Sequence, residues 1–111
     1  MEIAEERAGN VLIVAFKGRL DASSSSVAEK LLLDRIAAGE RRLVIDLADL
    51  DYVSSVGLRV LLLAAKRIKA VQGQIAVCAL KPTIATIFDI AGFAKLFRIH
   101  APREEAVCDL S

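Results

Sequence analysis

The strongest constraint on this fold is a recurring pattern in which an apolar, β-branched run gives way to a helically spaced segment. Val11 to Phe16 reads as a strand. Gly18-Arg19-Leu20-Asp21 leaves it for a helix from about Ser25 to Ala38, capped by one of the preceding serines and ended by Gly39. Ala28, Leu31, Leu32 and Ile36 mark that helix's core face. Arg41 to Leu47 is the next strand, and a second helix follows Ser54-Ser55 and ends near Gly73. Gln74 to Leu80 then precedes a helix opened by Lys81-Pro82-Thr83 and stopped around Ala91-Gly92. Phe97-Arg98-Ile99 gives a short strand, and Pro102 to Val107 a terminal helix. Ile3 to Arg7, joined to Val11 through Gly9-Asn10, supplies an antiparallel hairpin partner at the sheet edge. The expectation is an α/β fold with a mixed, mostly parallel sheet of about five strands and helices packed against it.

At 111 residues the chain is the size of one domain spanning 1–111. Although 55% of residues are hydrophobic, the longest apolar runs, such as Val60 to Ala65, fall far short of the ~20 residues a membrane-spanning helix needs. The opening Met1-Glu2-Ile3-Ala4-Glu5-Glu6-Arg7 is acidic and unlike a signal peptide, so a soluble cytoplasmic protein is expected. A net charge of +1 and the absence of Trp argue against nucleic acid as a partner. Cys78 and Cys108 are far apart in sequence, and Cys78 reads as an ordinary buried thiol. His100 is the lone histidine, so neither a metal site nor a cofactor is expected.

The chemistry concentrates at Tyr52-Val53-Ser54-Ser55-Val56-Gly57-Leu58-Arg59, where a strand meets a helix. A helix start has unpaired N–H groups and the positive end of the macrodipole, and so favours an anion. Ser55 as a catalytic nucleophile would need a base within reach, and the segment is not G-x-S-x-G. A phosphate-binding loop would need a lysine the segment lacks. Two readings remain: a helix cap, which local chemistry by itself favours, and a kinase substrate whose phosphate the helix start and Arg59 would stabilise.

At 100° per residue, Leu58, Leu61, Leu62, Ala65 and Ile68 share one face of the second helix, with Ala64 and Val71 on its flank. Arg59, Leu63, Lys66, Arg67 and Ala70 fall opposite. Leu63 is therefore expected at the surface among basic residues. It is either a solitary exposed leucine or, with Val56 and Arg59, part of a docking patch beside Ser55.

Leu43-Val44-Ile45-Asp46-Leu47 followed by Val53-Ser54-Ser55-Val56-Gly57-Leu58 resembles the STAS domain of bacterial anti-sigma factor antagonists. The resemblance extends through Gly18-Arg19-Leu20-Asp21 and Ala91-Gly92-Phe93, so it covers nearly the whole chain. It implies the STAS fold and no enzymatic activity. The family's loop reads Asp-Ser-Ser/Thr-Gly-Leu, its first Ser being phosphorylated. Aligned on Gly57-Leu58, that position is Ser55, with Ser54 in place of the Asp and a less favoured acceptor, and Val56 in place of the second hydroxyl. The resemblance further implies an anti-sigma factor, often a serine kinase, as partner of the unphosphorylated form, and a serine phosphatase that restores it. Asp21, Val56, Gly57, Arg59 and Leu63 are the expected partner-binding positions. The alternative role within the family is an adaptor subunit of a lipid or anion transport system, with no phosphorylation switch.

Overall fold

A computed structural model describes all of residues 1–111. Strands β1 (Glu2–Ala8) and β2 (Val11–Leu20) form the expected antiparallel hairpin. Helix α1 (Ser25–Ala37), β3 (Arg42–Asp46), β4 (Leu50–Val53) and α2 (Ser55–Ala70) follow. After β5 (Gln74–Cys78) and α3 (Pro82–Ile90), a short 3-10 turn at Phe93–Lys95 leads into β6 (Arg98–His100) and α4 (Arg103–Leu110). The six-stranded sheet has the order β1-β2-β3-β5-β6, with β4 pairing β2. Every pairing except the first hairpin is parallel.

Period-two alternation sorts the strand residues onto two faces. Leu12, Val14 and Phe16 of β2, Leu43 and Ile45 of β3, and Ile75 and Val77 of β5 enter the larger core beneath α1, α2 and α3. Val11, Ile13, Val44, Ala76 and Cys78 enter a smaller one closed by Ala106 and Leu110 of α4. Phe88, Phe93 and Phe97 cluster at the foot of α3, the first two edge-on with ring centroids 5.1 Å apart. No helix is long and apolar enough to cross a membrane.

The structure departs from the sequence reading in β2. Rather than leaving the sheet at Gly18, the strand continues to Leu20. Gly18 takes φ +98°, a conformation open chiefly to glycine, and the pairing register shifts between Gly18 and Arg19. That kink turns Gly18, Arg19 and Leu20 onto Leu50, Tyr52 and Val53 of β4, a strand the sequence reading did not contain.

α4 is fastened by charge as well as packing. Arg103 donates from Nε to Asp46 Oδ2 at 2.8 Å and also pairs with Glu6, so it joins α4 to β3 and β1. Asp46, only 7% exposed, accepts a second bond from the Ala48 N–H at 2.9 Å. Burial, with the Asp46 charge adding to it, pushes the Cys78 thiol up to about 12.

Candidate functional site

The end of β2 and the start of α2 meet at Leu20. Its carbonyl accepts the Ser54 N–H at 2.9 Å, which ties the serine segment to the sheet. Gly57, one turn on, is where the helix presses against that strand. A Cβ there would lie 2.6 Å from the Leu20 carbonyl oxygen and 2.9 Å from Leu20 Cγ. Glycine is thus required by space, its φ being ordinary for a helix. Because Gly57 is buried, its contribution to a binding surface is the position it gives Ser55 and Val56, not a contact of its own.

The two serines have different environments. Ser54 is the N-cap of α2, with φ −89° and ψ 173°, and its Oγ accepts the Gly57 N–H at 3.2 Å. Its carbonyl accepts the Leu58 N–H at 2.9 Å. Ser55 is the first helical residue, exposed, and its hydroxyl has no hydrogen-bond partner in the protein. The N–H groups of Ser55 and Val56 precede the first intrahelical bond, and neither finds another acceptor. No acidic residue occupies the first turn of α2. The free hydroxyl therefore stands beside two free N–H donors at the positive end of a 16-residue helix.

Asp21 follows Leu20 directly and anchors the turn into α1. Ser23 donates to its Oδ1 from both Oγ, at 2.6 Å, and the backbone N–H, at 3.0 Å. Ser23, helped by the Arg19 guanidinium, holds the Asp21 carboxyl below the usual carboxylate range, so it is ionised at neutral pH. Ser24 stands at the N-cap of α1 without capping it through its side chain. Its hydroxyl instead donates to the Arg19 carbonyl at 2.8 Å and accepts the Asp21 N–H at 3.1 Å.

Val56 and Arg59 are exposed as expected, and Arg59 has no ion-pair partner. The expectation for Leu63 needs correction. It is half-buried, and the buried face of α2 is Gly57, Val60, Leu61, Ala64, Ala65 and Ile68, with Leu58 and Leu62 at its margin. Helix α2 packs on α1 as well as on the sheet, so its covered stripe is broader than one apolar face. Leu63 can therefore join a docking surface only by its exposed edge.

Two residues outside the predicted set belong to this end of the molecule. The Arg19 guanidinium carbon lies 4.3 Å from the centroid of the half-exposed Tyr52 ring, on paired positions of β2 and β4. The cue in the sequence was Tyr52 itself, the single tyrosine, placed just ahead of the serines. His100 lies elsewhere, with Nε2 3.0 Å from Asp109 Oδ2, and serves as no base for Ser55. No group of three or more His, Cys, Asp or Glu side chains is arranged to hold a metal.

Comparison with known proteins agrees with the fold. A family model described as the STAS domain matches residues 2–106. The Bordetella bronchiseptica anti-sigma factor antagonist BtrV is 39% identical over 106 residues, covering 96% of this chain and 91% of its own. The anti-sigma F factor antagonist of Paenibacillus polymyxa is 29% identical over 111 residues, covering 99% of this chain and 95% of its own. Among solved structures, the Bacillus cell fate determinant SpoIIAA in its phosphorylated form superposes with a TM-score of 0.80 at 19% identity, covering 99% of this chain and all of its own. Its unphosphorylated form gives 0.83 at 19% identity, covering 96% and 93%.

Proposed function

This chain belongs to the STAS-domain family of anti-sigma factor antagonists, and we propose that Ser55 is the phosphorylation site of a partner-switching regulator. The observation that carries the assignment is the division between the serines: Ser54 Oγ is occupied in capping α2, whereas the Ser55 hydroxyl is exposed and free. In this reading the unphosphorylated protein binds an anti-sigma factor with serine kinase activity and thereby releases a sigma factor. A serine phosphatase reverses the modification. The chain acts by binding and carries out no reaction of its own.

The proposed docking surface is built around Ser55 from Val56, Arg59, the exposed edge of Leu63 and the ionised Asp21. A neutral hydroxyl is desolvated at modest cost and can hydrogen-bond across an interface. A phosphate at the same place adds nearly two negative charges to a surface that already carries the Asp21 carboxylate, and burying them under a partner is strongly unfavourable. Arg59 and the free N–H groups of Ser55 and Val56 stabilise the phosphate within the chain itself. The switch therefore alters the surface and leaves the fold in place, in keeping with the shared fold of SpoIIAA in its two forms.

The test is incubation with ATP and the cognate anti-sigma kinase, followed by intact-mass measurement and peptide mapping. Phosphate on Ser55, abolished by Ser55→Ala, is the expected result. Phosphate on Ser54 would move the site by one residue. An unmodified protein that still co-purified with a transport subunit would replace the switch by the adaptor role.

A further inference from the structure

The end of the molecule opposite the serines carries a second feature. A cleft of about 380 Å³ opens between the C-terminal end of α2 and the segment joining the 3-10 turn to β6. Lys69, Gly73, Gln74, Lys95, Phe97 and Arg98 line it, and no carboxylate does. Lys69 and Lys95 form no ion pair or side-chain hydrogen bond anywhere in the protein. Arg98 has one partner, Asp109, whose Oδ1 accepts from Nη1 at 3.0 Å and leaves most of the guanidinium donors unused. Lys69, Lys95 and Arg98 thus all line one concave surface, and Asp109, the single carboxylate bonded to any of them, is not part of that lining.

We propose that this cleft is a binding site for a small, multiply charged anion of the phosphate class. A cation in the last turn of a helix complements the helix dipole, which accounts for Lys69 as a structural residue. The same account does not reach Lys95, which ends a three-residue 3-10 turn, or Arg98, which starts β6. Like charges gathered in a recess repel one another, and a bound polyanion relieves that repulsion. The volume suits a small ligand, and Gln74 adds a neutral hydrogen-bonding side chain at the rim. Ser55 and Lys69 lie 14 residues apart along α2, about 21 Å at the helical rise, so the site is independent of the proposed switch.

The probe is inorganic pyrophosphate, titrated into the 15N-labelled protein at constant ionic strength. We expect saturable amide shifts centred on Gly73, Gln74, Lys95 and Arg98. The double variant Lys69→Ala/Lys95→Ala should bind at least tenfold more weakly. Both side chains are exposed, so its fold should be retained and is checked by circular dichroism and the urea midpoint. Lys30→Ala, an exposed lysine on α1, should leave the affinity unchanged. Shifts that do not saturate, that spread over all lysine-bearing surfaces, or that persist undiminished in the double variant would overturn the site. Vesicles of phosphatidylcholine with phosphatidic acid form a second arm. Vesicle capture without a pyrophosphate response would overturn the proposal in favour of a lipid surface, whereas a pyrophosphate response without vesicle capture identifies a free phosphate compound as the ligand class.

Discussion

The Ser54 N–H donates to the Leu20 carbonyl at 2.9 Å, and through this one bond the start of α2 is hung from the end of β2. Everything proposed for the serine segment depends on that attachment. Asp21 leaves the same carbonyl carbon on one side, while Gly57 packs against the Leu20 oxygen and side chain on the other. The site is therefore a rigid corner of the sheet, and its residues should respond differently to substitution.

Gly57→Ala tests the corner directly. The added Cβ meets a backbone oxygen at 2.6 Å, an atom that cannot rotate away, so the start of α2 must move outward. Overpacking of this kind destabilises by about 1–3 kcal/mol. Urea unfolding should show a lower midpoint with an unchanged slope, and an unaltered midpoint would contradict the close approach.

The serines should separate cleanly in the same measurement. Ser54→Ala removes the acceptor of the Gly57 N–H and should cost about 1 kcal/mol, the usual effect of losing an N-cap. Ser54→Asp should retain most of that stability, since a carboxylate caps equally well and favours the helix start. Ser55→Ala removes a hydroxyl with no partner and should change stability by less than about 0.5 kcal/mol. A larger loss at Ser55 than at Ser54 would reverse their assigned roles.

These contrasts also mark what the sequence could disclose. Strand–helix alternation was legible because each element carries its own period, as in Val11 to Phe16 and Ala28-Leu32-Ile36. β4 was hidden: Leu50-Asp51-Tyr52-Val53 has only four residues, and its pairing depends on a kink at Gly18 far back in the chain. The burial of α2 was read too narrowly for a similar reason. Val60 is covered because α2 meets α1 as well as the sheet, an arrangement no helical projection contains. At the site, the sequence displays two adjacent hydroxyls, but only the backbone at Ser54 decides which one caps.

Arg103 should matter more to stability than an ordinary surface arginine. Replacing it with Met removes one of the two donors to Asp46, whose carboxylate is almost fully buried, and unties α4 from β1 and β3. Leaving such an acceptor underpaired costs about 1–3 kcal/mol. Loosening of α4 would also uncover Cys78, which is fully buried in the native protein with its thiol pushed up to about 12. Ellman's reagent should therefore label only Cys108 in the native wild type, with Cys78 becoming reactive faster in Arg103→Met. Equal Cys78 labelling rates in the two proteins would argue against α4 as the lid over that thiol.

The final prediction concerns pH at the edge of the site. Asp21 is held below the ordinary aspartate range chiefly by the Ser23 hydroxyl. A carboxyl whose folded pKa is depressed contributes stability above its unfolded value, and that contribution disappears as pH falls through the lower folded value. The turn into α1 should accordingly stay ordered at pH 5 and loosen only below the ordinary aspartate midpoint of about 3.9. Following the Asp21 carboxyl carbon by NMR should give a midpoint below that value. Ser23→Ala should move it back up, and with it the acid limit of order at Ser24 and Ser25. Since the proposed docking surface includes the same ionised carboxylate, Asp21→Asn should also weaken binding of a partner that recognises its charge while leaving Ser55 open to phosphorylation. If Asp21 instead titrates at the ordinary midpoint and is indifferent to Ser23→Ala, its hydrogen bonds do not set its charge, and its part in the docking surface would have to rest on shape alone.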